Sequence, residues 1–435
     1  MDSVGPNIDA IHEPFQRSER SPEDEMISSY LRNRSEVYGD LVKVQDDGWK
    51  NPEAEAFFRG QRHRADNATQ KIRKVFYKMM RNIGAELNAA SDGALELRNS
   101  NPWVLDLCMA PGGYTAAVLD RNRDASVCAL TLPQHLGGHR IIHPKDTGLQ
   151  VMFEDITMLY KEFGLTDIPQ DHPNLLKFSD KRWWYGKEFD LIFCDGQALR
   201  THEPNIGVYG RQVEALRLNV SQLILAMQRM KRGGTLIMLL HHMDSYETIK
   251  ILRVFDEIAR IQLFKPLLSH MNRSSFYLIA KNVEPGHLEA VVAVNEWKKV
   301  WKDLTFPVLD EDGQALPPKI ASEPEVVGEV SDLLDTLGER IIELGEPIWQ
   351  IQKEALATAN WTRRKEAMDS EQDGTVEASA AAIAVHASEE DLDNVGDADD
   401  METAPVLGKA SKPPAEGPVD SADMSVAMQS LDIDS

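Results

Sequence analysis

Three aspartates lie in or just after apolar runs of strand length. Asp106 falls within Trp103–Leu107, Asp155 two places beyond Gln150–Phe153, and Asp195 directly after Phe189–Cys194. The first run continues through Cys108, Met109, Ala110, Pro111, Gly112, Gly113 and Tyr114, and helix-forming residues follow to Asp120. A strand that turns through glycines into a helix sets backbone N–H groups and the positive helix end beside its ligand. In an open α/β sheet, such a turn at the carboxyl end of a strand is where a nucleotide-like ligand sits. A further run, Thr235–Leu240, ends in His241, whose ordinary pKa suits it to proton transfer near neutrality.

Those residues need a frame, and the pattern from Pro102 onward supplies one. Strands are predicted at Val104–Cys108, Ser126–Thr131, Gln150–Phe153, Phe189–Cys194, Thr235–Leu240 and Ser275–Ala280, with helices between them at Thr115–Asp120, Ile156–Phe163, Arg211–Met230 and Ser245–Ile258. Near-continuous apolar strands alternating with helices predict a mostly parallel sheet covered on both faces. Insertions interrupt it at Leu165–Lys187, which contains Trp183, Trp184 and Tyr185, and at Gly196–Gly210. Ahead of this region, residues 25–46 have helical spacing. The segment from Arg59 to Arg81 then carries Arg59, Arg62, Arg64, Lys71, Arg73, Lys74, Lys78 and Arg81 against Asp66 alone. Ile72, Val75, Phe76 and Met79 make its second half a basic amphipathic helix. After Asn282 the alternation stops, and helices are expected at His287–Trp301 and Val326–Thr358. The expected organisation is a partly helical extension (1–69), an α/β domain (70–282), a helical extension (283–365) and a disordered acidic tail (366–435).

The net charge of −23 over 435 residues is misleading taken whole. Residues 366–435 hold 18 acids and 2 bases, so the tail carries −16 and the other 365 residues only −7. A mildly acidic body does not exclude a polyanionic substrate. Cys108, Cys128 and Cys194 all fall in strand-like runs without CxxC spacing, which predicts buried free thiols in a reducing compartment and no metal site. Without a leader-like start or an apolar run of spanning length, a soluble intracellular protein is expected, in cytoplasm or nucleus.

The Asp106–Gly113 turn resembles the methionine-end loop of S-adenosylmethionine (SAM) methyltransferases. Pro111-Gly112-Gly113 followed by Tyr114 is similar to the FtsJ-like (RrmJ-type) branch, which normally has glycine where Cys108 stands. Three further motifs follow in order: Phe153-Glu-Asp-Ile-Thr157, Phe189–Gly196, and the Gly233-Gly234 turn before Thr235–Leu240. The resemblance implies a Rossmann-like fold with a mostly parallel seven-stranded sheet and SAM as cofactor. It places Asp106, Cys108, Ala110, Pro111, Gly112, Gly113, Tyr114, Thr131, Asp155 and Asp195 at the cofactor, with Asp155 toward the adenine and Thr131 toward the ribose.

The family methylates ribose 2′-hydroxyls of RNA with a Lys-Asp-Lys-Glu set, in which an amine takes the hydroxyl proton. Carried over, the first lysine is Lys78 and the aspartate Asp195, but the second lysine falls on Leu239 and the glutamate on Ser275. Leucine cannot accept a proton. His241 lies two residues beyond it, on the same face of a continued strand, and is a candidate replacement, the alternative being a polar residue at a strand end. Three readings follow: an RNA 2′-O-methyltransferase, a SAM- or RNA-binding module without turnover, and a methyltransferase with another acceptor. RNA is the expected partner, through the Arg59–Arg81 run with Phe57, Phe58, Phe76 and Tyr77 interleaved, and the tail is a candidate protein-binding segment.

Overall fold

The computed structural model describes residues 20–66, 69–142, 148–198, 208–307, 323–359 and 361–362. The expected acidic tail, residues 1–19, most of the Gly196–Gly210 insertion and the proline-bearing stretch at 308–322 lie outside the described residues.

Four helices come first: α1 (Pro22–Arg34), α2 (Glu36–Trp49), α3 (Pro52–Asp66) and α4 (Gln70–Ala90). Local chemistry sets their starts. The Ser21 hydroxyl accepts the Asp24 N–H at 3.1 Å, Pro22 enters at a position with no helical amide to lose, and Glu23, Asp24 and Glu25 face the positive helix end. Thr69 caps α4 in the same way.

The sheet contains β1 (Trp103–Leu107), β2 (Ser126–Thr131), β3 (Leu149–Phe153), β4 (Phe189–Cys194), β5 (Met230–His241), β6 (Arg260–Phe264) and β7 (Ser275–Val283), in the order β3-β2-β1-β4-β5-β7-β6. Neighbours from β3 to β5 run parallel, while β7 is antiparallel to both β5 and β6. The helices α5 (Gly113–Leu119), α6 (Val208–Arg229) and α7 (Tyr246–Ile258) lie between strands, and α8 (Leu288–Thr305) and α9 (Glu323–Ala357) follow the sheet.

Strand parity divides the core between the two faces. Leu105, Leu107, Ile192, Cys194 and Met238 pack with α6, α7, α8 and α9. Val104, Leu191, Phe193, Ile237, Leu239 and Tyr277 pack with α4 and α5. Ile27 and Leu31 of α1 and Trp349 of α9 belong to the first cluster, so both helical extensions share its core with the sheet. Asp190 of β4 ties the starts of β1 and β5 to its own strand by accepting the Trp103 N–H at 2.9 Å and Lys231 Nζ at 2.7 Å.

Two expectations are corrected. The helix predicted at Ile156–Phe163 is one 3-10 turn over Ile156–Met158. Trp301 Nε1 donates to the Thr157 carbonyl at 2.9 Å and Ser179 N to the Met158 carbonyl at 2.9 Å, so tertiary donors take the acceptors an α-helix would need. Strand β6 was not anticipated. It has only five residues at the sheet edge, with Arg260 and Gln262 facing out, too short for a clear alternation.

Candidate active site

The register brings the motifs to one place. Leu107 of β1 pairs with Cys194 of β4, Cys194 with Met238 of β5, and Leu239 with Tyr277 of β7. The next residues beyond β1 and β4 are Cys108 and Asp195, so Cys108, Asp195, Leu239 and Tyr277 form a row at the carboxyl end of the parallel strands. Asp106 lies one layer deeper, opposite Phe193.

The loop after β1 is shaped by backbone demands. Cys108 has φ of 66° and Gly112 has φ of 103°, in the left-handed region that favours glycine. This accounts for the glycine usual at the Cys108 position in the resembled family, since the cysteine occupies a conformation glycine adopts without strain. Gly113 has a different reason. A Cβ there would lie 2.5 Å from the Tyr77 carbonyl oxygen and 3.1 Å from the Arg81 amide, and would also meet Met80. The missing side chain lets α4 press against the start of α5.

Pro111, Gly112 and Gly113 are buried, with Cys108 and Ala110 half-buried above them. The glycine-bearing segment after β2 closes on this turn, where the Ile142 N–H donates to the Pro111 carbonyl at 3.0 Å. Thr131, expected to face a ribose, is buried and its hydroxyl accepts the Ala110 N–H at 3.4 Å; it braces the loop. Asp155 is half-buried, and its Oδ1 accepts from the Thr157 N–H and hydroxyl at 2.9 and 2.8 Å.

Asp106 is 1% exposed and accepts the Thr115 hydroxyl at 2.6 Å. Burial pushes its pKa up to about 7, against the pull of the Thr115 hydrogen bonds. Asp195 is pushed up to about 8, by loss of hydration and then by the Asp106 charge, while a hydrogen bond from Tyr277 works in the opposite sense. Among the described residues no cationic side chain offsets either carboxyl. Asp106 is buried and Asp195 half-buried. The thiol of Cys108 is pushed up as well, by burial and then by the charges of Asp106, Asp155 and Asp195, so the three aspartates converge around that sulfur.

The side chain of Tyr114, expected at the cofactor, is buried. It stacks on Phe193 with centroids 5.3 Å apart, and its hydroxyl meets the Tyr277 hydroxyl at 2.5 Å. Tyr277 donates in turn to Asp195 Oδ1 at 3.4 Å. Sequence reasoning used Tyr277 only as a landmark and missed its contact with Asp195. It also missed Gln222, a fully buried amide on an apolar helix whose Oε1 accepts the Gly196 N–H at 2.8 Å and steadies the turn after Asp195. A glutamine directly before the apolar run Leu223–Ala226 was the available signal.

Leu239 is buried in the α4-side core, leaving no amine in that place. Lys78 is exposed on α4 in a row with Lys71 and Lys74, and no hydrogen bond or ion pair joins it to Asp195 among the described residues. His241 pairs across the strands with Ser275, the residue at the glutamate position. Its side chain is exposed at the end of β5, and partial loss of hydration, then the charges of His242, His270, Arg273 and Lys265, push its pKa down. Phe57 and Phe58, expected in a nucleic-acid groove, pack against Trp361 at 4.6 and 5.6 Å and serve the core.

Residues 86–283 match the family model described as FtsJ-like methyltransferase. No curated protein matches the sequence. A Plasmodium falciparum protein described as a ribosomal RNA methyltransferase aligns over 46% of this chain and 93% of its own, with 16% identity and a TM-score of 0.31. An rRNA methylase from Streptococcus thermophilus aligns over 46% and 96%, with 13% identity and a TM-score of 0.27. Human methyltransferase-like protein 13, solved with SAH, aligns over 55% and 97%, with 14% identity and a TM-score of 0.28. Among the described residues no helix is long and apolar enough to cross a membrane.

Proposed function

We propose, from the match of residues 86–283 to the FtsJ-like methyltransferase model, that the protein methylates a ribose 2′-hydroxyl of RNA and that Asp195 takes the hydroxyl proton. The domain is that of a SAM-dependent methyltransferase. Its residues suit the cofactor, because SAM carries positive charge on its sulfonium and its ammonium, and the buried Asp106 and half-buried Asp195 are carboxyls that no cationic side chain offsets among the described residues. Asp106, Asp155, Cys108 and the Ala110–Gly113 backbone would hold it. When bound, SAM supplies an electrophilic methyl group on positively charged sulfur.

The observation that carries the assignment of the base is the contrast between Asp195 and His241. A sugar hydroxyl is a weak acid, so the stronger base of the two is the better acceptor. Asp195 stands in the strand-end row beside Cys108 and within reach of the Tyr277 hydroxyl, and its pKa is raised, whereas His241 is exposed two residues farther along β5 and its pKa is lowered. The positive charge that SAM would bring favours the ionised form of Asp195, which can accept a proton. Tyr277 orients it through the hydroxyl contact, with Tyr114 behind, and Leu239 excludes water from the adjoining face. Lys71, Lys74 and Lys78, exposed in a row on the helix that touches Gly113, support RNA as the acceptor by offering phosphate contacts beside the cleft.

The deciding experiment is transfer of tritiated methyl from SAM to total cellular RNA, followed by alkaline hydrolysis. Label in alkali-resistant dinucleotides identifies 2′-O-methylation. Asp195→Ala should lower the rate by about 100-fold or more while His241→Ala retains most of it. An unimpaired Asp195→Ala variant refutes the base assignment. SAM binding without label in any RNA favours a binding module, which the Leu239 and Ser275 replacements make the second reading.

A further inference from the structure

Strand β5 runs on to His241, but its ladder with β4 ends where Cys194 pairs with Met238. On the other side, β4 pairs with β1 only as far as Leu107 and Cys194. The chain therefore leaves the sheet at Asp195, and among the described residues Gly196 has no ladder partner on either strand. Gly196 is nonetheless buried, so its peptide groups need partners from elsewhere. The helix layer supplies them. Gln222 of α6 is fully buried, and its Oε1 accepts the Gly196 N–H at 2.8 Å. Its Nε2 faces the Gly196 and Leu218 carbonyls at 3.4 and 3.5 Å. A carboxamide offers the same acceptor and donor as a peptide group, so Gln222 does for one residue what a longer strand would do.

The space around Gly196 is equally constrained. A Cβ there would lie 2.6 Å from Cys108 Sγ and 2.8 Å from Gln222 Oε1, so the loop after β1 and the helix α6 close on this residue from two sides. The Asp195 carboxyl points elsewhere. Cys194 packs in the α6-side core, whereas Asp195 meets Tyr277, which belongs to the α4-side core. Among the described residues no hydrogen bond joins Gln222 to that carboxyl. Its influence can reach Asp195 only through the peptide that links Asp195 to Gly196. That route is the firmer restraint, because the Tyr277 contact is long at 3.4 Å and the Gly196 bond is short at 2.8 Å.

We propose that Gln222 is a positioning residue for methyl transfer: its amide, acting through Gly196, sets the direction in which the Asp195 carboxyl meets the acceptor hydroxyl. The inference rests on the assignment of Asp195 as the base. Packing alone does not call for an amide at this place. Leu223, Ile224, Leu225 and Ala226 follow it, all buried, and an aliphatic side chain would fill the same core without a polar group to satisfy. The amide is worth its burial only through the hydrogen bonds it makes to the backbone.

The test is a double-mutant cycle on the full chain, with tritiated methyl transfer to RNA giving kcat and the KM for RNA. Gln222→Met keeps the length of the side chain and removes both polar atoms. It should lower kcat by about tenfold and leave the KM unchanged. In the Asp195→Ala background the same substitution should change kcat by less than about twofold, because no carboxyl is left to position. If Gln222→Met unfolds, Gly196→Ala displaces the amide from the opposite side and should give the same loss and the same non-additivity. Wild-type kcat in the folded variant would overturn the inference and leave Asp195 as the base. An equal loss in both backgrounds would also overturn it, since a residue that only holds the fold lowers turnover whatever stands at position 195. An unimpaired Asp195→Ala variant, or no transfer by the wild-type chain, would overturn the base assignment and this inference together.

Discussion

Cofactor affinity should depend steeply on pH, because the proposed cation site is made from carboxyls that hold their protons to unusually high pH. Asp195 is pushed up to about 8 and Asp106 to about 7. A cation that binds against ionised Asp195 must displace a proton. Below the carboxyl's pKa, affinity then falls about tenfold per pH unit. With the Asp195 value of about 8, one proton makes binding about 50-fold weaker at pH 6 than at pH 8, or about 2.3 kcal/mol. Asp106 faces the same site, so the pair titrates together and steepens the fall below pH 7. Isothermal titration calorimetry over pH 6–8.5, repeated in buffers of different ionisation enthalpy, reads both the affinity and the proton released. Asp195→Asn should flatten the profile. S-adenosylhomocysteine, whose sulfur is neutral, should show a shallower one. A SAM affinity constant across this range, or a slope unchanged in Asp195→Asn, would refute the idea that these two acids meet the positive charge.

Stability provides independent checks. A native carboxyl with a raised pKa holds a proton that the unfolded chain has released, so stability falls as pH rises from about 4 to about 8. Asp195→Asn should therefore melt at a higher temperature than the wild type at pH 8.5, with the difference shrinking at pH 5 in thermal scans of the cofactor-free protein. Gly113→Ala forces a methyl against the Tyr77 carbonyl and Met80, and should cost about 3 kcal/mol by denaturant titration, with SAM binding lost as α4 is pushed from the loop. Arg229 and Glu162 form an ion pair at 2.5 Å, each 1% exposed. Arg229→Met strands the acid and should cost about 3–5 kcal/mol by the same titration, and a loss below about 1 kcal/mol would show that Arg182 at 3.6 Å carries the charge balance instead.

The site was legible where one backbone segment makes the chemistry. The Asp106–Gly113 turn is contiguous, and its glycine at φ 103° and its close contact with α4 are demands that act on single positions and leave a local mark. Asp155 and Asp195 were legible because each terminates a strand whose apolar run announces it. The fate of Tyr114 was not: an aromatic after Gly-Gly reads equally as a ligand contact or a core ring, and only the packing of Phe193 and Tyr277 turned it inward. The same holds for Phe57 and Phe58, claimed by Trp361 from about 300 residues along the chain.

By itself the sequence determined the alternating strands and helices, the SAM-type loop, and the loss of an amine at Leu239 and of an acid at Ser275. These depend on side-chain period and residue identity, which a linear chain displays. The tertiary structure alone decided that β7 enters antiparallel between β5 and β6, that Tyr277 bonds to Asp195, and that Lys265, His270 and Arg273 gather beside His241 and His242. It also moved the proton affinities of Asp195 and His241 in opposite directions. Proton affinity is set by burial and by neighbouring charge, and both arise only when distant segments of the chain are brought together.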